Sequence, residues 1–278
     1  MLFKIEHYTR YDYSLPVNLG EHTLRFLPRD DNGQRPVQEQ LQVDPAPVSR
    51  SQDRDAWGNR IERLDFVGET GHLEIRAHLL VETSPATTPQ WLGPLSLPCD
   101  YAAQADWLAP YLAPLEKPGQ LDAFIAGLLQ RSGGYAPDYL DALNRALHGF
   151  YHRGVRLHGA ARSPAETLRR GEGVCRDLAL LFMACARQVG LATRFVSGYQ
   201  QGEGNIETRQ LHAWAEVYLP GAGWIGYDPT HGATTSEEHI AIACAPTQAL
   251  TMPLEGGYTF QGEKLTSTLT TEIRINTR

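Results

Sequence analysis

Three side chains in this sequence are of the types, and in the order, that acyl transfer through sulfur needs: Cys175, His212 and Asp228. Cys175 stands in Gly171-Glu172-Gly173-Val174-Cys175-Arg176-Asp177, where two glycines lead into an apolar-periodic run. That pattern places the thiol in the first turn of a helix. Unpaired backbone N–H groups and the helix dipole favour negative charge there, which suits a thiolate. A thiolate nucleophile needs a base, and the base needs an acceptor that orients it. His212 and Asp228 fall on the two strands of an expected hairpin, 211–219 and 223–228, joined through Pro220-Gly221-Ala222. A turn centred on Pro220 sets His212 opposite Asp228 on one face, where cross-strand Cβ atoms are about 5 Å apart. In that arrangement Asp228 fixes the imidazole tautomer. His212 takes the thiol proton and gives it to the leaving amine, and the Cys175 N–H helps hold the oxyanion.

Each of these residues also has a plainer reading. A lone cysteine is more often a small packing residue, and Cys185, on the apolar stripe of the same helix, reads as core. Ten steps of about 100° turn it away from Cys175. A metal site from Cys175, His212, His231 and Asp228 is allowed by ligand type. The spacings lack the short paired-ligand pattern usual for zinc, so no metal is expected, and the chemistry needs no cofactor. His152, His158 and His231 read as polar loop residues. Trp214 and Trp224 read as packing for the hairpin, with the wall of a substrate groove as the sharper alternative. Asp177 and Glu216 read as structural. Arg176 is either a surface charge or a substrate contact.

The elements that must position these groups follow from periodicity. Residues 1–83 read as an N-terminal β-sandwich domain, with strands near 37–43, 59–67 and 72–81 separated by Gly, Pro and Asp turns. Leu73, Ile75, Ala77, Leu79 and Val81 share one face of a half-buried strand. Residues 84–104, rich in Pro and Thr, read as a linker. Residues 105–278 read as the catalytic domain, its core at 163–232. Helices are expected at 121–131 and 139–151. A short helix starts at Ser163 as N-cap, with Pro164 at its first position and Glu166 completing a capping box. The cysteine helix runs from about 174 to 189, with Gly190 after its end. Strands follow at 193–199, 211–219 and 223–228. A last strand at 265–275 is able to pack back on the N-terminal domain.

Bulk properties narrow the class. The chain has 278 residues, 42% hydrophobic and 21% charged, with a net charge of −7. An acidic balance without a basic patch argues against nucleic-acid binding. No apolar run reaches the roughly 18 residues of a membrane span, and the first residues lack a secretory h-region. A cytoplasmic setting is therefore expected. The four cysteines, 99, 175, 185 and 244, form no C-x-x-C pair, which leaves a reactive thiol free in a reducing compartment.

Taken in order, Gly171-x-Gly173-Val174-Cys175-Arg176-Asp177, Arg194-Phe195-Val196-Ser197-Gly198-Tyr199, His212-Ala213-Trp214-Ala215-Glu216-Val217-Tyr218 and Gly223-Trp224-Ile225-Gly226-Tyr227-Asp228-Pro229-Thr230-His231-Gly232 resemble the transglutaminase-like superfamily of thiol enzymes. More narrowly, they resemble bacterial members with an extra N-terminal β-domain. His7-Tyr8-Thr9-Arg10, Leu24-Arg25-Phe26-Leu27-Pro28-Arg29-Asp30 and Asp55-Ala56-Trp57-Gly58-Asn59-Arg60 are similar to that region. The resemblance implies an α+β, papain-like core, a Cys-bearing helix packed on an antiparallel sheet, and carries the triad onto Cys175, His212 and Asp228. The family often sets an aromatic residue upstream, near the oxyanion, which makes Tyr151 a candidate. It implies thioester chemistry on a peptide or protein amide, with hydrolysis by a peptidase or amidase as the expected outcome. Glutamine-to-amine cross-linking, or a binding protein with a retired site, are the alternatives. No calcium-ligand loop of the kind some animal relatives use is present.

Overall fold

The computed structural model describes residues 1–277 except 32, 86–94, 152–155, 157, 158 and 203–208. Most of the expected linker core, His152 and His158 therefore lie outside the described residues.

The β-rich start is organised by one long strand, β1 (Leu2–Leu24). Its first half pairs with β5 (Glu69–Thr83) and, on the other edge, with β12 (Ser267–Thr277). After an irregularity between Asp12 and Val17, the second half pairs with β4 (Arg60–Asp65) and β11 (Leu254–Phe260). β2 (Gln34–Asp44) and β3 (Ser49–Arg54) complete an antiparallel sheet of seven strands drawn from both ends of the sequence. Both halves of β1 feed one core, with Phe3, Ile5, Val17, Leu19, Leu64, Leu73, Ile75 and Val81 buried together. The alternation at 73–81 is what builds this face: each of the five apolar residues is buried, while Glu74, Arg76 and His78 turn outward.

The second half is a helical layer on a five-stranded sheet. α1 (Ala105–Leu112), α2 (Asp122–Ser132), α3 (Ala136–His148), α4 (Pro164–Arg170) and α5 (Cys175–Gln188) precede it. The sheet order is β10-β6-β7-β8-β9, from β10 (His239–Ala245), β6 (Thr193–Gln200), β7 (His212–Leu219), β8 (Gly223–Asp228) and β9 (Ala233–Thr234). Leu181, Phe182 and Cys185 on α5 pack with Leu140, Leu143 and Leu147 on α3 and with Phe195, Ala215 and Val217 on the sheet. Burial pushes the Cys185 thiol up and keeps it protonated, as its place in the core requires. At α4, Ser163 Oγ accepts from the Glu166 N–H at 3.2 Å, and Gly171 closes the helix in the left-handed region.

Of the strands not individually read from the sequence, β10 and β11 lie in the expected catalytic half and show why. β10, His239-Ile-Ala-Ile-Ala-Cys-Ala, is buried almost throughout, so no alternation marks it, and its alanines favour helix over strand. β11 carries glycines at 256 and 257, which weaken a strand signal.

The two sheets meet through side chains of the N-terminal region that bind the backbone of β10. Gln34 Nε2 donates to the Ala241 carbonyl at 2.8 Å, and its Oε1 accepts from the Ala241 N–H at 2.8 Å. Asn59 does the same at Cys244, donating to its carbonyl at 2.8 Å and accepting from its N–H at 2.7 Å. Each amide replaces one rung of a missing strand. The Asp55–Asn59 turn supplies the second amide: Asp55 accepts from the Trp57 and Asn59 N–H groups, and Gly58 takes φ +77°.

Candidate active site

Cys175 opens α5, behind Val174 as N-cap. Asp177 folds back on this start. Its side chain accepts from the Val174 N–H at 3.2 Å and the Arg162 N–H at 2.8 Å, and pairs with Arg156. The carboxylate is fully buried, so it fixes the loop that presents the thiol. Gly173 belongs to the same fitting. A Cβ there would sit 3.0 Å from the Asp177 Cβ and 3.2 Å from Leu178, and its N–H donates to the Phe150 carbonyl at 2.9 Å. Tyr151 bridges to Gly173 from the adjoining segment, which sets this aromatic residue beside the nucleophile loop, two residues before Cys175. Arg176 is half-buried, and its Nη2 donates to the Arg156 carbonyl at 2.7 Å.

His212 and Asp228 meet, but not by the register expected from the sequence. The turn centres on Gly221, with Leu219 opposite Gly223 and Ala215 opposite Tyr227. Asp228 therefore falls two residues short of His212 instead of facing it. A shift of two keeps both side chains on the same face, and the contact closes diagonally: His212 Nε2 donates to Asp228 Oδ2 at 2.7 Å. With Nε2 so engaged, Nδ1 is the ring nitrogen available to the Cys175 thiol, which lies near enough to raise the proton affinity of the ring. Burial alone would lower the His212 pKa. The buried Asp228 charge, its hydrogen bond and Cys175 more than reverse this and lift it to about 10. Burial would in turn raise the Asp228 pKa, but His212, His231 and His239 hold it well below the usual carboxylate range.

Asp228 is fully buried and surrounded by donors. Oδ1 accepts from the Thr230 N–H at 2.9 Å, which folds Asp228-Pro229-Thr230 into an Asx-type turn. Oδ2 accepts from His212, from His231 Nδ1 at 2.7 Å and from His239 Nε2 at 3.1 Å. His231, read from the sequence as a polar loop residue, is thus part of this cluster. The Asx turn brings it back three residues after Asp228, and the Asp-Pro-Thr-His spacing was the signal available for it. No local signal pointed to His239, which arrives on the unrecognised β10.

The ligand atoms of His212, Asp228, His231 and His239 lie within 4.8 Å of one another. Proton positions favour hydrogen bonding over metal binding at this cluster. His239 Nδ1 accepts from the Ser236 N–H at 3.2 Å, so the ring proton sits on Nε2, toward the carboxylate. A metal-bound histidine has the reverse arrangement, with its outer ring nitrogen donating.

Both tryptophans pack the hairpin, in different surroundings. Trp214 is 2% exposed, sandwiched near His212 and His239 with ring centroids 6.1 and 5.3 Å away. Its neighbour Gly198, in the Ser197-Gly198-Tyr199 block, makes the room: a Cβ there would fall 2.7 Å from the indole and 2.2 Å from the Ile240 carbonyl. Trp224 lies four residues along β8 from Asp228, in a separate cluster with Tyr111, Trp107 and Tyr218 and under the Arg194 guanidinium at 4.3 Å. Arg194 in turn pairs with Glu216 across the strands at 2.5 Å. Both tryptophans are packing residues of the hairpin, and Trp214 also borders a small pocket between β2 and β10.

Two parts of the chain match family models. Residues 133–229 match the model of the transglutaminase-like superfamily, and residues 3–82 match that of the bacterial transglutaminase-like N-terminal region. The chain thus carries a transglutaminase-like core and a bacterial transglutaminase-like N-terminal region. An uncharacterized protein of Mycobacterium tuberculosis is 29% identical over 272 residues, 91% of this chain and 86% of the relative. A protein-glutamine gamma-glutamyltransferase of Pseudomonas aeruginosa is 35% identical over 66 residues, 21% of this chain and 10% of that one. A crystal structure from Cytophaga hutchinsonii, named a putative cysteine protease, superposes with a TM-score of 0.72 at 19% identity, covering 99% of this chain and 98% of that one. This likeness establishes the shared fold, a transglutaminase-like core preceded by a sheet region. Among the described residues, no helix is long and apolar enough to cross a membrane.

Proposed function

We propose that this transglutaminase-like protein is a cysteine enzyme that opens amide bonds through a thioester at Cys175. The observation that carries the reading is the setting of the His212 ring: Nε2 is held by a buried carboxylate at 2.7 Å, and a cysteine at a helix start lies near enough to raise the ring's proton affinity. In the reaction, the Cys175 sulfur attacks the carbonyl carbon while the carbonyl oxygen takes up negative charge near the α5 N-terminus. His212 passes its proton to the departing amine, leaving an acyl thioester. Water, deprotonated by His212, then adds to the thioester and releases the acid and the thiol. Asp228 stabilises the imidazolium and need not itself change protonation. Tyr151, whose backbone bridges to Gly173, is the candidate side chain for the oxyanion.

Hydrolysis is the preferred outcome, on a peptide or protein amide. The match to a protein-glutamine gamma-glutamyltransferase favours a second reading, in which an amine replaces water at the thioester. Incubation with a glutamine-containing protein and a biotinylated amine separates the two. Release of ammonia or new termini without biotin incorporation supports hydrolysis, and incorporation dependent on Cys175 supports transfer. Full turnover by Cys175→Ala on an identified substrate would sink both.

A further inference from the structure

We propose that His231 and His239 are positioning residues of the site, two N–H donors that fix the Asp228 carboxylate for His212. The inference rests on the cysteine-enzyme reading above and concerns how its base is set. An ionised carboxylate only accepts hydrogen bonds, so each ring nitrogen on Asp228 Oδ2 carries a proton. These are His212 Nε2, His231 Nδ1 and His239 Nε2, at 2.7, 2.7 and 3.1 Å. For His239 the proton position is fixed independently, because its Nδ1 accepts a backbone N–H from Ser236, and a backbone amide cannot reverse its role. His239 therefore directs its N–H at the carboxylate. His231 comes from the turn after β8, with its side chain about a third exposed, and His239 from β10, with its side chain almost covered.

The groups that face Asp228 are thus His212 from β7, His231 from the turn and His239 from β10, together with the Thr230 N–H; Cys175 from α5 faces His212. His148 on α3 donates to the Thr230 carbonyl at 2.8 Å rather than to the carboxylate. A single donor would leave the carboxylate free to rotate and its charge less compensated in a buried setting. Three donors on one oxygen, plus Thr230 on the other, leave it one orientation. They also lower its proton affinity, so the carboxylate stays charged further into acid. Once Asp228 is protonated, His212 loses its anchor, so the two extra donors extend the acid side of the range in which Cys175 is activated.

The test uses the full chain and needs no substrate. Cys175 alkylation by iodoacetamide is followed against pH by peptide mapping. It is measured in wild type, His212→Ala, and the variants His231→Phe and His239→Phe, which keep a ring but lose the donor. His231→Asn and His239→Gln keep a donor near the Nδ1 and Nε2 positions. Each phenylalanine variant is expected to move the acid limb up by about one pH unit, about a tenfold loss of rate on that limb, while Asn and Gln restore most of it. In parallel, 15N NMR of the ring nitrogens is expected to find Nδ1–H at His231 and Nε2–H at His239. Folded phenylalanine variants with a wild-type acid limb would overturn the positioning role, as would Asn and Gln variants as impaired as Phe. The opposite tautomer at His239 would overturn it even if the Phe variants fail to fold. Equal alkylation of wild type and His212→Ala is a different failure: it removes the cysteine-enzyme reading, and the tautomers then still decide the donation.

Discussion

Asp177 and Asp228 are both fully buried carboxylates that accept several hydrogen bonds, one at the start of α5 and one at the end of β8. Their donors differ in kind. Asp177 is held by the backbone N–H groups of Val174 and Arg162 and by the Arg156 guanidinium, groups that do not release protons near neutral pH. Asp228 is held by one backbone N–H and three imidazoles, rings that can carry a proton on either nitrogen. Equal burial therefore serves two ends: Asp177 fixes where the sulfur is, and Asp228 sets what the neighbouring base does with a proton. The same contrast runs along α5, where Cys185 is sealed in the core and Cys175, at the other end, is half-buried beside His212.

The largest effects come from breaking the proton-handling side. Cys175→Ser and His212→Ala are expected to abolish amide turnover and selective alkylation of position 175. Asp228→Asn keeps the shape but removes the charge, and a loss on the order of 10³-fold in turnover follows from the wrong tautomer and the missing stabilisation of the imidazolium. Asp177→Asn sharpens the comparison. It is expected to lower unfolding free energy by about 2–3 kcal/mol, because Arg156 is left without its buried counter-charge. The acid limb of Cys175 alkylation should stay where wild type has it. Urea unfolding and the alkylation profile, measured on both Asn variants, read the two effects separately. A shift of the acid limb in Asp177→Asn would erase the distinction.

pH acts on only one of the two regions. His212 has a folded-state pKa raised to about 10, against about 6.5 when unfolded. Its contribution to stability is therefore complete below about 6.5 and is lost as pH rises toward 10. Asp228 is shifted the other way. Its contribution is present above the ordinary Asp value of about 3.9 and is lost on acidification below it. Urea unfolding between pH 6 and 10 should show stability declining in wild type and a flatter curve in His212→Ala. Amide turnover should fall near pH 10, as His212 loses the proton it donates to the amine. Alkylation should not fall there, since it needs only the thiolate. Parallel loss of both above pH 9 would place the alkaline limb elsewhere.

What could be read from the sequence divides along the same line. Cys175, His212 and Asp228 were legible because helix and strand periodicities are local, and a two-residue error in the hairpin register preserves the face. The start of α4 was legible from Ser163-Pro164-Ala165-Glu166 for the same reason. Trp214 and Trp224 were ambiguous because burial of an aromatic side chain depends on what covers it. Here that is Gly198 and β10 for one, and Arg194 and Tyr111 for the other. His239 was illegible because β10 lacks alternation and reaches Asp228 only through the sheet order β10-β6-β7-β8, a long-range pairing that no short window contains.

The smallest effect on the site is expected from the far end of that chain of contacts. Asn59 lies in the N-terminal sheet region, yet its amide completes the hydrogen bonding of β10 at Cys244, five residues beyond His239. Asn59→Ala leaves a buried N–H and carbonyl without partners, which should lower stability by about 1–2 kcal/mol. Gln34 still holds β10 at Ala241, nearer to His239, so Cys175 alkylation should change by less than about threefold, the scale of a partly retained hydrogen bond. Gln34→Ala removes the nearer support and should have the larger effect on alkylation at a similar loss of stability. If the order is reversed, β10 moves as one rigid strand, and the N-terminal sheet supports Asp228 through the whole strand rather than through its His239 end.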